Sequence, residues 1–174
     1  MTDVRTSPIF RASVLARVAQ KQLEAPAFPD NALKHILVAT EAPGKLPQLD
    51  AAQREAVVST AQIISTADAA AKQEGNHTFE IKRLVYIMCG CWILLGDSRA
   101  RNTLEQLTRE LRPGNGVAVD ALSLNAAVLG TLSWVAPESH RQRYLSWRED
   151  TLKMVYQGTS PSSSASTPSE NDAS

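Results

Sequence analysis

The sequence predicts an all-α fold, an irregular bundle of about seven helices followed by a disordered Ser-rich C-terminal tail. Two patterns carry this prediction. Apolar residues recur at intervals of three and four positions through seven segments, and capping residues or Pro and Gly breakers separate those segments. The composition agrees, because Ala, the best helix former, occurs 24 times and Gly only 8 times.

The composition also limits the class of protein. The chain has 174 residues, which is long enough for one domain with a sizeable core. It carries 18 basic and 18 acidic residues, so its formal net charge is zero, and 43% of its residues are hydrophobic. These values are typical of a soluble globular protein. They exclude a wholly disordered chain, a collagen, a disulfide scaffold and a nucleic-acid binder that works through bulk charge.

The cysteines and the apolar segments indicate where the protein works. Cys89 and Cys91 are one residue apart, so neither a helix nor a strand aligns them for a disulfide bond. A metal would need further ligands, and His77 is the only near candidate, so we expect reduced thiols, no metal and no cofactor. The first ten residues lack a secretory signal, and the longest apolar run, residues 84–95, is too short to span a bilayer. These features predict a cytoplasmic protein, or one in another reducing intracellular compartment.

The N-terminal region is predicted to form two helices. Ser7 is expected to cap the first helix, with Pro8 in its first turn, and this helix is expected to end near Ala25. Asp30 is expected to cap a short second helix that ends before Pro43. The core-facing positions are predicted to be Ile9, Ala12, Ala16 and Ala19 with Val14 and Val18 beside them, then Leu33, Ile36 and Leu37.

A third and a fourth helix are predicted to form the core. Asp50 and Gln53 have the spacing of a capping box at the start of the third. Thr78 is expected to cap the fourth, which is apolar on all sides and is therefore placed at the centre of the fold. Gly90 within it indicates a close helix crossing. A β-strand competes for residues 84–95, but their length and the lack of a partner strand favour a helix. The apolar stripes are Val57, Ala61, Ile64 and Ala67, then Ile81, Leu84, Val85, Met88, Trp92 and Leu95.

Three more helices complete the predicted bundle. Asn102 and Glu105 have capping-box spacing, which places the start of the fifth helix, and the turn at residues 112–116 ends it. Pro137 separates the sixth helix from the seventh, which is expected to end at Gly158. The predicted buried faces are Leu104, Leu107 and Leu111, then Ala121, Leu124, Val128, Leu132 and Val135, then Leu145, Leu152 and Tyr156.

These boundaries divide the chain into three parts. Residues 1–6 are predicted to form a flexible N-terminus, residues 7–157 a single all-α domain, and residues 158–174 a disordered tail. Residues 159–174 include seven serines and no basic residue. Such a segment buries too little apolar surface to offset its chain entropy.

No pattern typical of catalysis is found in the sequence. The three histidines lie in different segments, and the chain lacks a nucleophile elbow, a phosphate-binding loop, a zinc-protease helix and a dinucleotide-binding motif. We therefore expect that the protein is not an enzyme.

One short segment, residues 139–148, combines basic and aromatic side chains at helical spacing. Such a stripe suits single-stranded RNA, whose phosphates bind guanidinium groups and whose bases stack on rings. It equally suits a protein interface, where Arg, Tyr and Trp are favoured anchors. A third interpretation is a solvated helix in which Trp147 packs inward and the arginines pair with nearby acids. The candidate contact residues are Arg141, Arg143, Tyr144, Trp147 and Arg148.

A second basic group follows the central helix. Arg99 and Arg101 are expected at the junction with the fifth helix, where free backbone N–H groups favour anions, and Arg109 and Arg112 follow on that helix. These two early arginines are added to the candidate contact residues. The alternative is a solvated surface whose arginines pair with neighbouring acids.

Three classes of function are carried forward, of which an enzyme is the third and least supported. The first is a self-assembling structural subunit, similar to a helical coat or nucleocapsid protein, that contacts RNA through local arginine patches. Because the net charge is zero, such RNA binding would be weak for one subunit and would depend on many subunits acting together. The alternative is a helical adaptor or regulator that binds another protein in a groove beside the central apolar helix.

Overall fold

The computed structural model describes residues 8–75, 78–112 and 118–159, and within them the all-α prediction is confirmed. The helices are α1 (Pro8–Leu23), α2 (Asp30–Leu37), α3 (Ala51–Gln73), α4 (Phe79–Leu95), α5 (Arg99–Glu110), α6 (Val119–Val135) and α7 (Glu138–Thr159). Four predictions lie outside the described residues: the Ser7 cap with the flexible N-terminus, the candidate ligand His77, most of the turn at 112–116, and the tail beyond residue 159.

Helix α4 lies at the centre of the bundle, as predicted. It contacts α2, α3, α5 and α6, and every residue from 84 to 94 is buried. The Thr78 hydroxyl accepts a hydrogen bond from the Ile81 backbone N–H (3.3 Å), which confirms the predicted cap. Both cysteines are buried in this helix and neither forms a disulfide bond. No helix in the described parts of the chain is long and apolar enough to cross a membrane.

The close crossing predicted at Gly90 is confirmed, and α2 is its partner. A Cβ atom added at Gly90 would lie 2.6 Å from Cδ1 of Leu33 and 2.7 Å from Cδ2 of Leu37. The capping box of α3 is also present. The Asp50 carboxylate accepts from the Gln53 backbone N–H (2.7 Å), and the Gln53 side chain accepts from the Asp50 N–H (3.0 Å).

The remaining helices pack outward from this core. Helix α1 packs against α3, α5 packs against α4 and α6, and α7 packs against α6. The segment after α2 is held by α6, because the Trp134 indole N–H donates to the carbonyl oxygen of Ala39 (3.1 Å) and the Ser133 hydroxyl donates to that of Thr40 (3.2 Å).

Several predicted boundaries differ from the structure, and α2 ends at Leu37, before the expected breaker at residues 42–44. Helix α1 ends at Leu23 rather than near Ala25, and Pro29 rather than Asp30 is the N-cap of α2. Helix α7 continues through Gly158 to Thr159. Val14 and Val18 were expected beside the buried face of the first helix, but each is 39% exposed.

The predicted start of α5 is wrong by four residues. The helix begins at Arg99 and not after Asn102, because the Asp97 carboxylate accepts a hydrogen bond from the Arg99 backbone N–H (2.9 Å). Asp97 is therefore the polar group that binds a free N–H at this helix start. Arg99 and Arg101 consequently lie in the first turn of α5.

The predicted buried face of α7 is wrong by one position. Tyr156 is 67% exposed, and Leu145 and Leu152 are only half-buried, whereas Tyr144 and Thr151 are buried. The Tyr144 ring packs into the core while its hydroxyl donates to the Glu105 carboxylate (3.1 Å). A buried tyrosine needs such an acceptor, and α5 supplies it.

Candidate functional site

A groove opens between α5 and α7, and α6 forms its floor. Its cavity volume is about 610 Å³, a size typical of ligand-binding sites. We call it the α5–α7 groove. The side of α5 contributes Arg109 and Arg112, α6 contributes Asn125 and Leu129, and α7 contributes Arg143, Trp147 and Met154.

The apolar part of the groove is divided between a buried floor and an exposed wall. Leu129 is buried, whereas Trp147 and Met154 are 48% and 43% exposed. These two residues are seven positions apart on α7, so they lie on the same side of the helix. Large apolar side chains that remain this exposed next to a cavity are typical of a surface that binds a partner or ligand.

The charged lining of the groove consists of three arginines, Arg109, Arg112 and Arg143, and two carboxylates, Glu105 and Asp150. No ion pair among residues 8–75, 78–112 and 118–159 includes Arg109, Arg112 or Arg143. The Arg143 guanidinium instead lies 5.6 Å from the centre of the Trp147 ring. Glu105, in contrast, already accepts from Tyr144 and lies 3.6 Å from Nε of Arg101. Arg109 donates one hydrogen bond to the side-chain oxygen of Gln106 (3.0 Å). The groove therefore presents three guanidinium groups that form no ion pair within the described residues, and such groups bind anions.

One polar side chain in the groove is buried without a partner. Asn125 is 3% exposed, and its Oδ1 atom has no hydrogen-bond partner among the described residues. The hydroxyl groups that line the same groove are satisfied locally. Thr108 donates to the carbonyl oxygen of Glu105 (2.7 Å), and Thr151 donates to that of Trp147 (3.0 Å).

The basic-aromatic stripe predicted on α7 does not form one surface. Arg143 and Trp147 line the α5–α7 groove, and the Tyr144 ring is buried behind them. Arg141 and Arg148 lie on another side of α7. Arg141 donates to the carbonyl oxygen of Thr40 (3.5 Å). Arg148 lies against Gly130, where a cavity of about 250 Å³ is lined by residues 37–40.

Arg99 and Arg101 are also separated from that stripe. Arg99 pairs with Asp97 (Nη2 to Oδ2, 2.7 Å), and its guanidinium lies 4.5 Å from the centre of the Trp92 ring. Hydrogen bonds from Arg99 lower the pKa of the Asp97 carboxyl group. Arg101 contacts the groove only through its ion pair with Glu105. These two arginines are therefore held by neighbouring acids, as in the alternative interpretation.

The sequence analysis missed Asn125 and Met154 as groove residues, and it left Arg109 and Arg112 out of the candidate contact residues. Asn125 is a single amide in an otherwise apolar stretch of α6, and Met154 follows Trp147 at a spacing of two helical turns. Both features are visible in the sequence. Neither identifies a groove residue until α5, α6 and α7 are known to enclose a cavity.

The search for a metal site in the described residues and the comparison with known proteins both gave negative results. The described residues contain no cluster of three or more His, Cys, Asp or Glu side chains arranged for a metal ion. No protein-family model, no curated protein and no solved structure gives a significant match to the chain. The chemistry of the groove must therefore be judged from its own residues.

Proposed function

We propose that the protein is a non-enzymatic helical adaptor that binds an acidic, amphipathic segment of a partner protein in the α5–α7 groove. The observation that carries this proposal is the position of three unpaired arginines beside the exposed Trp147 and Met154. The groove is bounded by α5, α6 and α7, whereas the sequence placed it beside the central helix.

Each part of the groove favours one property of the partner. Burying the exposed Trp147 and Met154 surface favours apolar side chains, since removal of apolar area from water is the main driving force for association. The unpaired guanidinium groups favour carboxylates, which arginine binds through two parallel hydrogen bonds. A segment with apolar residues on one side and acidic residues on the other satisfies both.

RNA binding has less support than protein binding at this site. Stacking of successive bases needs several exposed rings, but Trp147 is exposed while Tyr144 is 5% exposed. Arg143 already lies over the Trp147 ring. Arg141 and Arg148, which were expected to bind phosphates beside these rings, lie on another side of α7. The self-assembling subunit that contacts RNA stays a prediction, and the experiment below also tests it.

The test is a selection of binding peptides. A random-peptide display library is selected on the full chain, and the affinity of the best peptide is measured by fluorescence anisotropy. We expect peptides rich in acidic and apolar residues. The double variant Arg109→Glu/Arg143→Glu should weaken binding by about tenfold or more, because it removes two charge-assisted contacts. Arg11→Glu/Arg17→Glu is the matched control, since it makes the same change in charge at two exposed arginines of α1.

Three outcomes would count against this proposal. One is the selection of peptides without acidic residues, and another is equal binding by the groove variant and the control. The third is tighter binding of a single-stranded oligouridylate than of any peptide, with loss of that binding in Arg109→Glu/Arg143→Glu. Light scattering of the protein with and without this RNA completes the comparison, because large RNA-dependent particles would favour the self-assembling subunit.

A further inference from the structure

Among the described residues, the side chains of Arg101, Asn125 and His140 each have a buried polar atom without a hydrogen-bond partner, and of these three residues Asn125 alone is buried as a whole. Five polar side chains are buried among the described residues, and four of them are hydroxyls that donate to a carbonyl oxygen three or four residues earlier in their own helix. These are Thr60 to Ala56 (2.8 Å), Thr131 to Ala127 (3.3 Å), Ser133 to Gly130 (2.6 Å) and Thr151 to Trp147 (3.0 Å). The fifth is Asn125, whose Oδ1 has no partner. It lines the α5–α7 groove.

An unpaired amide at such a position has a cost that an apolar residue would avoid. Burial of a polar group without a hydrogen bond is unfavourable, and the neighbouring residues Leu124 and Ala126 show that this stretch of α6 is otherwise apolar. A bound ligand removes this cost when it supplies the missing partner. The chemistry of that partner follows from the amide itself, which carries both a donor and an acceptor.

We infer that the segment bound in the α5–α7 groove is extended, and that Asn125 forms hydrogen bonds with one of its backbone peptide groups. This inference rests on the proposed function. A peptide group is the natural complement of a primary amide, because it also presents one N–H donor and one C=O acceptor. These groups are free in an extended segment, whereas in the interior of a helix they are already bonded to each other.

The extended conformation also fits the two kinds of side chain that the groove favours. Successive side chains of an extended segment point in opposite directions, so alternating apolar and acidic residues separate onto two sides. One side then reaches Trp147 and Met154 on α7, and the other reaches Arg109 and Arg112 on the side of α5. The backbone between them passes over the floor, where Asn125 lies.

The experiment uses the peptide selected on the full chain, together with copies in which one backbone nitrogen at a time is methylated. N-methylation removes a single backbone donor and leaves the side chains unchanged. At one position of the peptide, N-methylation should weaken binding to the unmodified protein by about tenfold. A loss of this size corresponds to one hydrogen bond to a desolvated partner. This measurement requires no protein variant.

Asn125→Leu provides the complementary measurement. Leu has the same number of side-chain heavy atoms as Asn with the same branching, so the variant should fold, and its melting temperature should equal or exceed that of the unmodified protein because the unpaired amide is gone. It should bind the unmethylated peptide about tenfold more weakly, and the critical N-methylation should cause no further loss. Asn125→Ala is the second variant, with the same expected insensitivity to methylation.

The outcomes separate this inference from the proposed function. If binding depends on Arg109 and Arg143 but not on Asn125 or on any backbone N–H, the inference is overturned and the proposed function stands. A gain of helical circular dichroism in the bound peptide overturns the extended conformation in the same way. If no selected peptide depends on the groove arginines, the proposed function and this inference fall together.

Discussion

The hydroxyl group of Tyr86 lies 2.8 Å from the hydroxyl oxygen of Thr131, so a buried side chain of α4 is joined to α6. The same Tyr86 hydroxyl contacts the carbonyl oxygen of Leu37, at the end of α2, and that of Ala127 (3.1 Å). One phenol group therefore connects three helices at the centre of the bundle. Polar groups in such a position fix the relative placement of helices whose apolar contacts alone are less directional.

Replacement of Tyr86 by Phe tests this connection. Tyr86→Phe should lower the free energy of unfolding by about 1–3 kcal/mol, because it leaves a buried carbonyl group without its donor. Thr131→Val should cost less, since the Tyr86 hydroxyl keeps its contact with Leu37. Urea unfolding monitored by circular dichroism measures both. Equal stability of Tyr86→Phe and the unmodified protein would show that the hydroxyl contributes nothing to the fold.

The two aromatic residues of the predicted contact stripe should respond differently to truncation. Tyr144 is 5% exposed and Trp147 is 48% exposed. Tyr144→Ala should therefore lower the free energy of unfolding by about 3–5 kcal/mol, as for other large core residues, and Trp147→Ala by less than about 1 kcal/mol. Thermal and urea unfolding provide the measurement. A large loss of stability in Trp147→Ala would place its ring in the core and remove the exposed wall of the α5–α7 groove.

The sequence contained enough information to place α4 but not to orient α7. Helix α4 is apolar on all sides, so its central position follows from its composition alone. Helix α7 has apolar residues in adjacent stripes, and helical spacing permits either Tyr144 or Leu145 to face inward. The choice depends on Glu105 of α5, which lies 39 residues away and accepts the Tyr144 hydroxyl. No local pattern contains that information.

The start of α5 and the groove could not be predicted from the sequence, because both depend on how several segments are arranged in space. Asp97 and Asn102 are both good capping residues, and the favoured one was decided by the short turn after α4, where Gly96 takes a φ of +72°. The groove needs side chains from three helices that are separated along the chain. The sequence indicated Arg143 and Trp147 as contact residues. Asn125 can be recognised as a candidate binding residue only from the cavity beside it.

The tight contact at Gly90 predicts a difference between two glycines. Gly90→Ala should lower the free energy of unfolding by about 1 kcal/mol, because overpacking against Leu33 outweighs the gain in helix propensity. Gly130→Ala is the matched control within α6. Its added Cβ would lie 3.3 Å from Nε of Arg148, a side chain that can move, so its stability should be equal or higher. The reverse order of the two variants in urea unfolding would contradict the packing of α2 on α4.

Three buried groups of α4 should make the fold sensitive to alkaline pH. Burial raises the pKa of the Cys91 thiol and of the Tyr86 hydroxyl to about 12 each, although the hydrogen bond with Thr131 partly opposes the shift at Tyr86. Burial and the neighbouring Cys91 also raise the pKa of the Cys89 thiol. The ordinary values are 9.0 for a thiol and 10.0 for tyrosine, so the unfolded chain loses these protons first. The stability that these groups contribute is complete below pH 9.0 and is lost as the pH rises from 9.0 towards 12.

Urea unfolding at a series of pH values, with a reductant present, measures this loss. Each group that ionises only in the unfolded chain lowers the free energy of unfolding by up to about 1.4 kcal/mol per pH unit. The double variant Cys89→Ala/Cys91→Ala should be less stable at neutral pH, because two small cavities form in the core. Its stability should nevertheless fall less steeply between pH 9.0 and 10.0, where the thiols titrate in the unfolded chain and tyrosine has only begun to. Parallel curves for the variant and the unmodified protein would mean that the thiols ionise as readily in the folded core as in water, which is incompatible with their burial in α4.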